Sequence, residues 1–241
     1  MPAPYWIEPG STDVSFPDVS LALREPDGLL AIGGDLTCER VISAYQQGIF
    51  PWFSEGQPIL WWSPDPRFVL FPDNLKVSRS LRKTIKSRHF NITVNKAFDE
   101  VIDQCAKIPR AGQEGTWITQ EMQQAYSQLH QQGYAVSVEA WHENKLVGGL
   151  YGIAIGRIFF GESMFSLVSN ASKVAFSLFV AHLQGLGFKM LDCQIYTAHL
   201  ESLGAEAIKR SRFTRLLNQY CEDHRQLIKP ATCVIDTKIT D

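Results

Sequence analysis

Between Tyr134 and Ile195 the chain sets up a two-residue period, interrupts it with a long helical stretch and then resumes it, which leaves few folds open. Tyr134, Val136, Val138 and Ala140 alternate with other residues, the H-E-N-K run at 142–145 has turn composition, and Leu146–Ile153 and Arg157–Gly161 read as further strands. Such alternation with tight connections predicts an antiparallel meander, because successive side chains in a strand point to opposite faces. A helix follows from Asn170 to about Leu186, Gly187 releases the chain, and Phe188–Ile195 forms one more strand. A strand reached through a crossover helix can join the sheet in parallel, so the pattern predicts an α/β domain with a mixed, mainly antiparallel sheet flanked by helices.

Upstream, Ser78–Ser87 reads as a helix, Asn91–Val94 as a strand, and Asn95–Cys105 as a helix turning Phe98, Val101, Ile102 and Cys105 inward. Thr119 has the chemistry of an N-cap for a helix whose Met122, Ala125, Tyr126 and Leu129 share a face, closed by Gly133. The first sixty residues are rich in Gly, Pro and aromatics and hold one clear helix, opened by Thr37, stopped by Gly48 and carrying Val41, Ala44 and Tyr45 on one side. The stiff run W-W-S-P-D-P-R, Trp61 to Arg67, marks the expected boundary between a small N-terminal α/β domain, residues 1–65, and a catalytic domain, residues 66–241.

The formal net charge is only -2, so contact with nucleic acid would need a local basic patch. Five widely spaced cysteines without a C-x-x-C pair argue against a disulfide framework and a structural zinc site, and six scattered histidines suggest no metal; a reducing, cytoplasmic setting fits. No leader and no apolar run long enough to span a bilayer is evident.

Two places carry polar residues where apolar ones would serve a fold better. Glu162, in F-F-G-E-S-M-F-S, is placed in a small-residue turn between a strand and the next helix. Even a neutral polar group costs roughly 2 to 7 kcal/mol to bury unpaired, so this carboxylate calls for a cation: an internal one such as Lys173 or Arg157, or a substrate. In Leu191-Asp192-Cys193-Gln194, alternation puts Asp192 and Gln194 on one strand face and Cys193 on the other. Two acids and an amide would then meet in one cleft.

The longer strings R-E-P-D-G-L-L-A-I-G-G-D-L (24–36), A-Y-Q-Q-G-I-F-P-W-F (44–53), P-I-L-W-W-S-P-D-P-R (58–67) and E-G-T-W-I-T (114–119), followed by G-G-L-Y-G, G-E-S-M-F-S, N-A-S-K, D-C-Q and S-L-G-A, resemble the leucyl/phenylalanyl-tRNA-protein transferase family. The resemblance runs from about residue 16 to 216, and several unusual strings in the same order are far more specific than one short motif. It implies an N-acetyltransferase-like catalytic domain. It also implies an aminoacyltransferase that moves Leu or Phe, with Met as a further candidate, from aminoacyl-tRNA to the N-terminal Arg or Lys of a protein, marking that protein for N-end-rule degradation. The enzyme would work in the cytoplasm as a monomer, with no cofactor, metal or membrane.

By the same resemblance, Asp192 and Gln194 are the catalytic pair, and Glu162 receives the cationic acceptor. Leu150, Met164, Phe176, Phe179 and Leu183 would form the aminoacyl pocket, although a stripe at helical spacing is more commonly core. Trp52 and Trp117 would stack on the terminal adenosine or, alternatively, pin the domains together. Arg79, Arg82, Lys83 and Lys86, at i, i+3, i+4 and i+7, would face tRNA phosphates or simply solvent. Two alternatives stay open: a coenzyme A-dependent N-acyltransferase, disfavoured by the lack of a glycine cluster in S-L-V-S-N-A-S-K, and a tRNA-binding protein without catalysis. Thioester chemistry at Cys193 lacks a nearby activating histidine.

Overall fold

The computed structural model describes residues 3–108, 116–221, 228 and 233–235, so Glu114 and Gly115 of the E-G-T-W-I-T string lie outside it. A four-stranded sheet comes first, from β1 (Tyr5–Ile7), β2 (Leu29–Gly33), β3 (Phe50–Pro51) and β4 (Leu60–Trp62) in the order β1-β2-β4-β3. Helix α1 (Cys38–Gln46) connects β2 to β3 and buries Val41, Ala44 and Tyr45, the expected face. It ends at Gly48, whose φ of +78° few other residues adopt.

The second sheet has eight strands: β5 (Arg67–Leu70), β6 (Asn91–Val94), β7 (Ala135–His142), β8 (Lys145–Ile155), β9 (Ile158–Ser166), β10 (Met190–Gln194), β11 (Glu206–Ile208) and β12 (Cys233–Val234). Their order is β11-β5-β10-β9-β8-β7-β6-β12. Only β9 and β10 run parallel; every other neighbouring pair is antiparallel, giving the mixed sheet the pattern predicted. Helices α2 (Arg79–Lys86), α3 (Phe98–Lys107), α4 (Gln120–Gln131), α5 (Ala171–Gly185), α6 (Ala198–Ser202) and α7 (Arg210–Tyr220) are the other α-helices among the described residues. Strand alternation divides the core: Phe160 and Met190 pack with α1, α3, α4 and α7 on one face, Phe159 and Leu191 with α2 and α5 on the other.

Local chemistry sets the boundaries. The Thr119 side chain accepts from the backbone N–H of Met122, capping α4 as expected, and the Ser78 side chain accepts from Leu81 N–H and caps α2 in the same way. Helix α3 starts later than the sequence suggested. Asn95 takes a left-handed φ of +59°, its side chain accepts from Ser137 N–H, and the helix begins only at Phe98. Fully buried Glu139 accepts there from the Thr93 and Ser137 hydroxyls and from the N–H groups of Lys96 and Ala97, placing a carboxylate at the positive end of α3.

Candidate active site

β9 and β10 are paired only where Ile158–Phe160 faces Met190–Asp192, and beyond that point they part. A cavity of about 450 Å³ lies between the separated ends, lined by Gly161, Glu162, Ser163 and Met164 on one side and Asp192–Ile195 on the other. Two β-bulges shape its polar end. In β9, Gly161 and Ser163 pair with Gly152 and Tyr151, leaving Glu162 as the extra residue. In β10, Asp192 and Gln194 pair with Val69 and Phe68, leaving Cys193 as the extra one, and Gln194 takes a φ of +63°. Gly152 is required opposite the first bulge, since a Cβ there would lie 2.1 Å from the Phe160 carbonyl oxygen.

These bulges correct two expectations. Glu162 lies within a strand that continues to Ser166, where the sequence suggested a turn. Asp192 and Gln194 do meet, through the bulge and not through alternation: Gln194 N–H donates to Asp192 Oδ1 at 2.9 Å. The partners of Glu162 are two phenols and an amide, where Lys173 or Arg157 had been the internal candidates. Tyr45 OH donates to Oε1 at 2.6 Å, Tyr126 OH to Oε2 at 3.0 Å and Gln194 Nε2 to Oε1 at 2.9 Å. The two phenol oxygens lie 2.6 Å apart, one from α1 and one from α4.

Beside this cluster Asp192 is wholly buried and paired in parallel with Arg67, whose Nε donates to Oδ1 at 2.8 Å and Nη2 to Oδ2 at 2.6 Å. Arg67 also donates to the Gly48 carbonyl, and its guanidinium lies 4.7 Å from the ring centres of both Phe50 and Phe213. One arginine therefore joins the small sheet, β10 and α7.

Burial raises the Glu162 carboxyl from an ordinary 4.5 to about 7; the nearby Asp192 adds to the rise, and hydrogen bonds from Tyr45 and Tyr126 together with the Arg67 charge oppose it. Between those two values the folded protein holds a proton that the unfolded chain has lost, so stability is expected to fall as pH rises from 4.5 to about 7 and to level off above. Urea unfolding across that range should show the slope in the wild type, and Glu162→Gln should remove this contribution. Burial, reinforced by Asp192, pushes the Cys193 thiol up, so this cavity-wall cysteine is no thiolate nucleophile at neutral pH.

Of the five aminoacyl-pocket candidates, Leu150, Met164 and Phe176 line the cavity. Phe179 and Leu183 do not. Both are fully buried behind the wall, Phe179 edge-on to Phe159 at 4.9 Å, because α5 is apolar around most of its circumference and the cavity meets only a small part of it. Phe159, Leu191 and Leu200 take their places. Trp52 and Trp117 both line the cavity; Trp52 is held by Trp62, which packs edge-on against it and donates Nε1–H to its carbonyl. Arg79, Arg82, Lys83 and Lys86 lie along α2, which turns Leu81 and Ile85 inward and leaves Arg79, Lys83 and Lys86 exposed.

Comparison with known proteins adds the family. The family profile described as leucyl/phenylalanyl-tRNA protein transferase matches residues 69–218, and the profile for the N-terminal domain of the same family matches residues 34–65. This chain belongs to the leucyl/phenylalanyl-tRNA–protein transferase family. A leucyl/phenylalanyl-tRNA–protein transferase of Hydrogenovibrio crunogenus is 53% identical over 234 residues, 97% of this chain and 90% of that protein. One from Pseudomonas aeruginosa is 57% identical over 209 residues, 87% of this chain and 92% of its own length, and one from Chromobacterium violaceum is 56% identical over 214 residues, 89% and 90%. Among solved structures, L-PGS from Bacillus licheniformis aligns with a TM-score of 0.36 at 10% identity, over 72% of this chain and 57% of that one.

Within this transferase, sequence reasoning missed Arg67, Tyr45 and Tyr126 as parts of the site. Arg67 stood in the W-W-S-P-D-P-R string and was read as the end of a linker. The tyrosines sat at helical core positions, where a phenol and a phenyl ring give the same periodic signal; a buried hydroxyl's need for a partner was the available clue.

Proposed function

We propose that the cavity binds the 3′ end of Leu-tRNA or Phe-tRNA and that the chain transfers the aminoacyl group to the N-terminal Arg or Lys of a protein. The observation that carries this is the meeting of Glu162, Tyr45, Tyr126 and Gln194 at one end of an apolar cavity flanked by two tryptophans. Leu150, Phe159, Met164, Phe176 and Leu191 offer an apolar wall for a leucyl, phenylalanyl or methionyl side chain. Trp52 and Trp117 offer ring faces to the terminal adenine, a contact worth about 1 to 3 kcal/mol.

Aminolysis of an aminoacyl ester is downhill, and what it needs is a neutral amine held in line with the carbonyl. An α-amino group titrates at about 7.7 to 8.0, so a fraction is unprotonated near neutrality. The acceptor side chain is held by Glu162, a carboxylate once a cation reaches it. With its Nε2 bound to Glu162, the Gln194 side chain offers Oε1 to the attacking N–H. Asp192, occupied and neutralised by Arg67 through both oxygens, anchors the Gln194 backbone and so positions its side chain. The new C–N bond forms, the C–O bond to the ribose breaks, and the proton lost by the amine ends on the departing 3′ oxygen.

Residues 1–65 and 66–241 are read as two domains, the first supplying Tyr45 and Trp52 to the site. No helix among the described residues is long and apolar enough to cross a membrane, and the reading places the enzyme in the cytoplasm as a monomer that marks its products for degradation. Arg79, Arg82, Lys83 and Lys86 take tRNA phosphates. Each neutralising substitution among them is expected to flatten the plot of log affinity against log salt by about 0.7 to 0.9, measured by filter binding of Phe-tRNA. Unchanged slopes would remove α2 from the interface. The test of the whole reading is incubation with labelled Phe-tRNA and peptides starting with Arg or Ala, with labelled acetyl-coenzyme A as control. Label should move from the tRNA to the Arg peptide only; acetyl transfer instead would favour the coenzyme A reading.

A further inference from the structure

Strand β9 keeps β8 as a partner along its whole length but loses β10 after Phe160. Beyond that point the bulge at Cys193 and the left-handed Gln194 turn β10 aside, and Ile195 N–H folds back onto the Cys193 carbonyl at 2.8 Å. The edge of β9 that β10 gives up borders the cavity. One hydrogen bond shows which backbone groups stand on that edge. Leu167 N–H donates to the Val147 carbonyl at 2.8 Å, so Gly148 and Ser166, which face each other, turn their own N–H and C=O groups away from each other. The register is regular from there to Tyr151 and Ser163, and alternation makes Leu150 and Met164 a second such pair. The N–H and C=O of Met164, and those of Ser166 beyond it, therefore point into the gap that β10 leaves. Neither backbone has a hydrogen-bond partner on that side among the described residues. Met164 is partly exposed and lines the cavity, and Ser166 is exposed, so a ligand can reach this edge.

The chemistry of the edge selects its occupant. Donors and acceptors alternate along it, and their complement is the main chain of an extended polypeptide; the phosphates of a nucleic acid would leave the carbonyls without a donor. On the proposed function, the first residue of the acceptor protein is held at Glu162 and Gln194, and the rest of its chain has to leave the cavity. The edge leads outward from that point: Phe160 is buried, Glu162 and Met164 are partly exposed, and Ser166 is exposed. The Met164 side chain stands perpendicular to the sheet and stays available to the aminoacyl wall, while its peptide groups lie in the sheet plane.

We infer that the first residues of the acceptor protein add to β9 as a short parallel strand in the place that β10 vacates, hydrogen-bonded through their main chain to the N–H and C=O of Met164. This rests on the transfer reading, and the test separates the two. Recognition beyond the first residue is then of backbone: side chains there are tolerated, and the N–H of alternate residues is read. Peptides beginning with Arg are made with one backbone ester in place of an amide at residue 2, 3, 4 or 5 in turn, which removes an N–H without adding bulk. With Phe-tRNA as donor, kcat/KM should fall about tenfold at the residue whose N–H meets the Met164 carbonyl and change little at its neighbours. A series of N-methylated peptides should single out the same position. A flat series overturns the inference, as does a loss spread evenly over neighbouring positions, which altered chain flexibility would give.

A readout independent of turnover is hydrogen exchange at the Met164 amide, followed by NMR. The transfer product, a peptide beginning Phe-Arg, should slow that exchange by about tenfold or more at saturation, and deacylated tRNA should not. Protection by the tRNA alone assigns the edge to the nucleic acid and overturns the inference, as does protection by neither. If Phe-tRNA transfers nothing to the Arg peptide while a peptide beginning with Arg protects the Met164 amide, the transfer reading fails and the strand contact stands.

Discussion

Arg67→Met unfolds with a loss of about 3 to 5 kcal/mol relative to the wild type, the usual cost of leaving one member of a buried ion pair behind. Arg67 and Asp192 have side-chain exposures of 1% and 0%, so water cannot replace the missing guanidinium. The substitution also removes the hydrogen bond to Gly48 and the cation between the Phe50 and Phe213 rings, which weakens the seam between the two sheets. The double variant Arg67→Met/Asp192→Leu should recover most of the stability, because burying two apolar side chains leaves no orphan charge. It should not recover transfer, since Gln194 loses the carboxylate that fixes its backbone. Urea unfolding of the three proteins, with kcat/KM alongside, checks both statements. A single variant within about 1 kcal/mol of wild type would mean that Asp192 finds another partner, the range being that of an exposed pair.

On the proposed function, Glu162→Gln should reduce transfer to peptides beginning with Arg by about 30-fold to several thousandfold while the protein stays folded. Removing one partner of a buried charge contact costs about 2 to 5 kcal/mol in binding, and each 1.4 kcal/mol is about tenfold. The amide has nearly the shape of the carboxyl, and the Tyr45 and Tyr126 hydroxyls can rotate to meet it, so the fold keeps its contacts. The loss should fall mainly on the Arg peptide, narrowing its advantage over one that begins with Ala. A variant that lost activity equally on both would assign Glu162 to general positioning. The same residue sets a pH dependence: below about 7 the acid form must give up its proton to bind a cation, so the acceptor KM of the wild type should rise towards tenfold per pH unit, and that of Glu162→Gln should stay flat.

Both results concern contacts that join distant parts of the chain. Tyr45 and Glu162 are 117 positions apart, Tyr45 and Tyr126 81, and Arg67 and Asp192 125. The meander, the crossover helix and the cap at Thr119 were legible because period, turn composition and capping are properties of neighbouring residues. Glu162, Asp192 and Gln194 stood out for a related reason: acids and amides at strand ends conflict with burial unless something pairs with them. The start of α3 was misplaced because the side chain of Asn95 pairs across to β7, a contact no local pattern reveals.

The pocket shows most plainly where local information ends. Leu150, Met164, Phe176, Phe179 and Leu183 are all apolar, and residue type alone could not divide them into three cavity-wall residues and two core residues. What divides them is the parting of β9 from β10 and the two bulges, and these follow from register, which one inserted residue in either strand changes. The sequence by itself determined the α1 helix, the order of strands and helices between Ser78 and Ile195, the family and the identity of the acids and the amide, because each is written in adjacent or regularly spaced residues. Only the tertiary structure decided that a buried arginine occupies Asp192 and that two phenols hold Glu162, because each depends on which strands pair, where they part and what the intervening chain brings alongside.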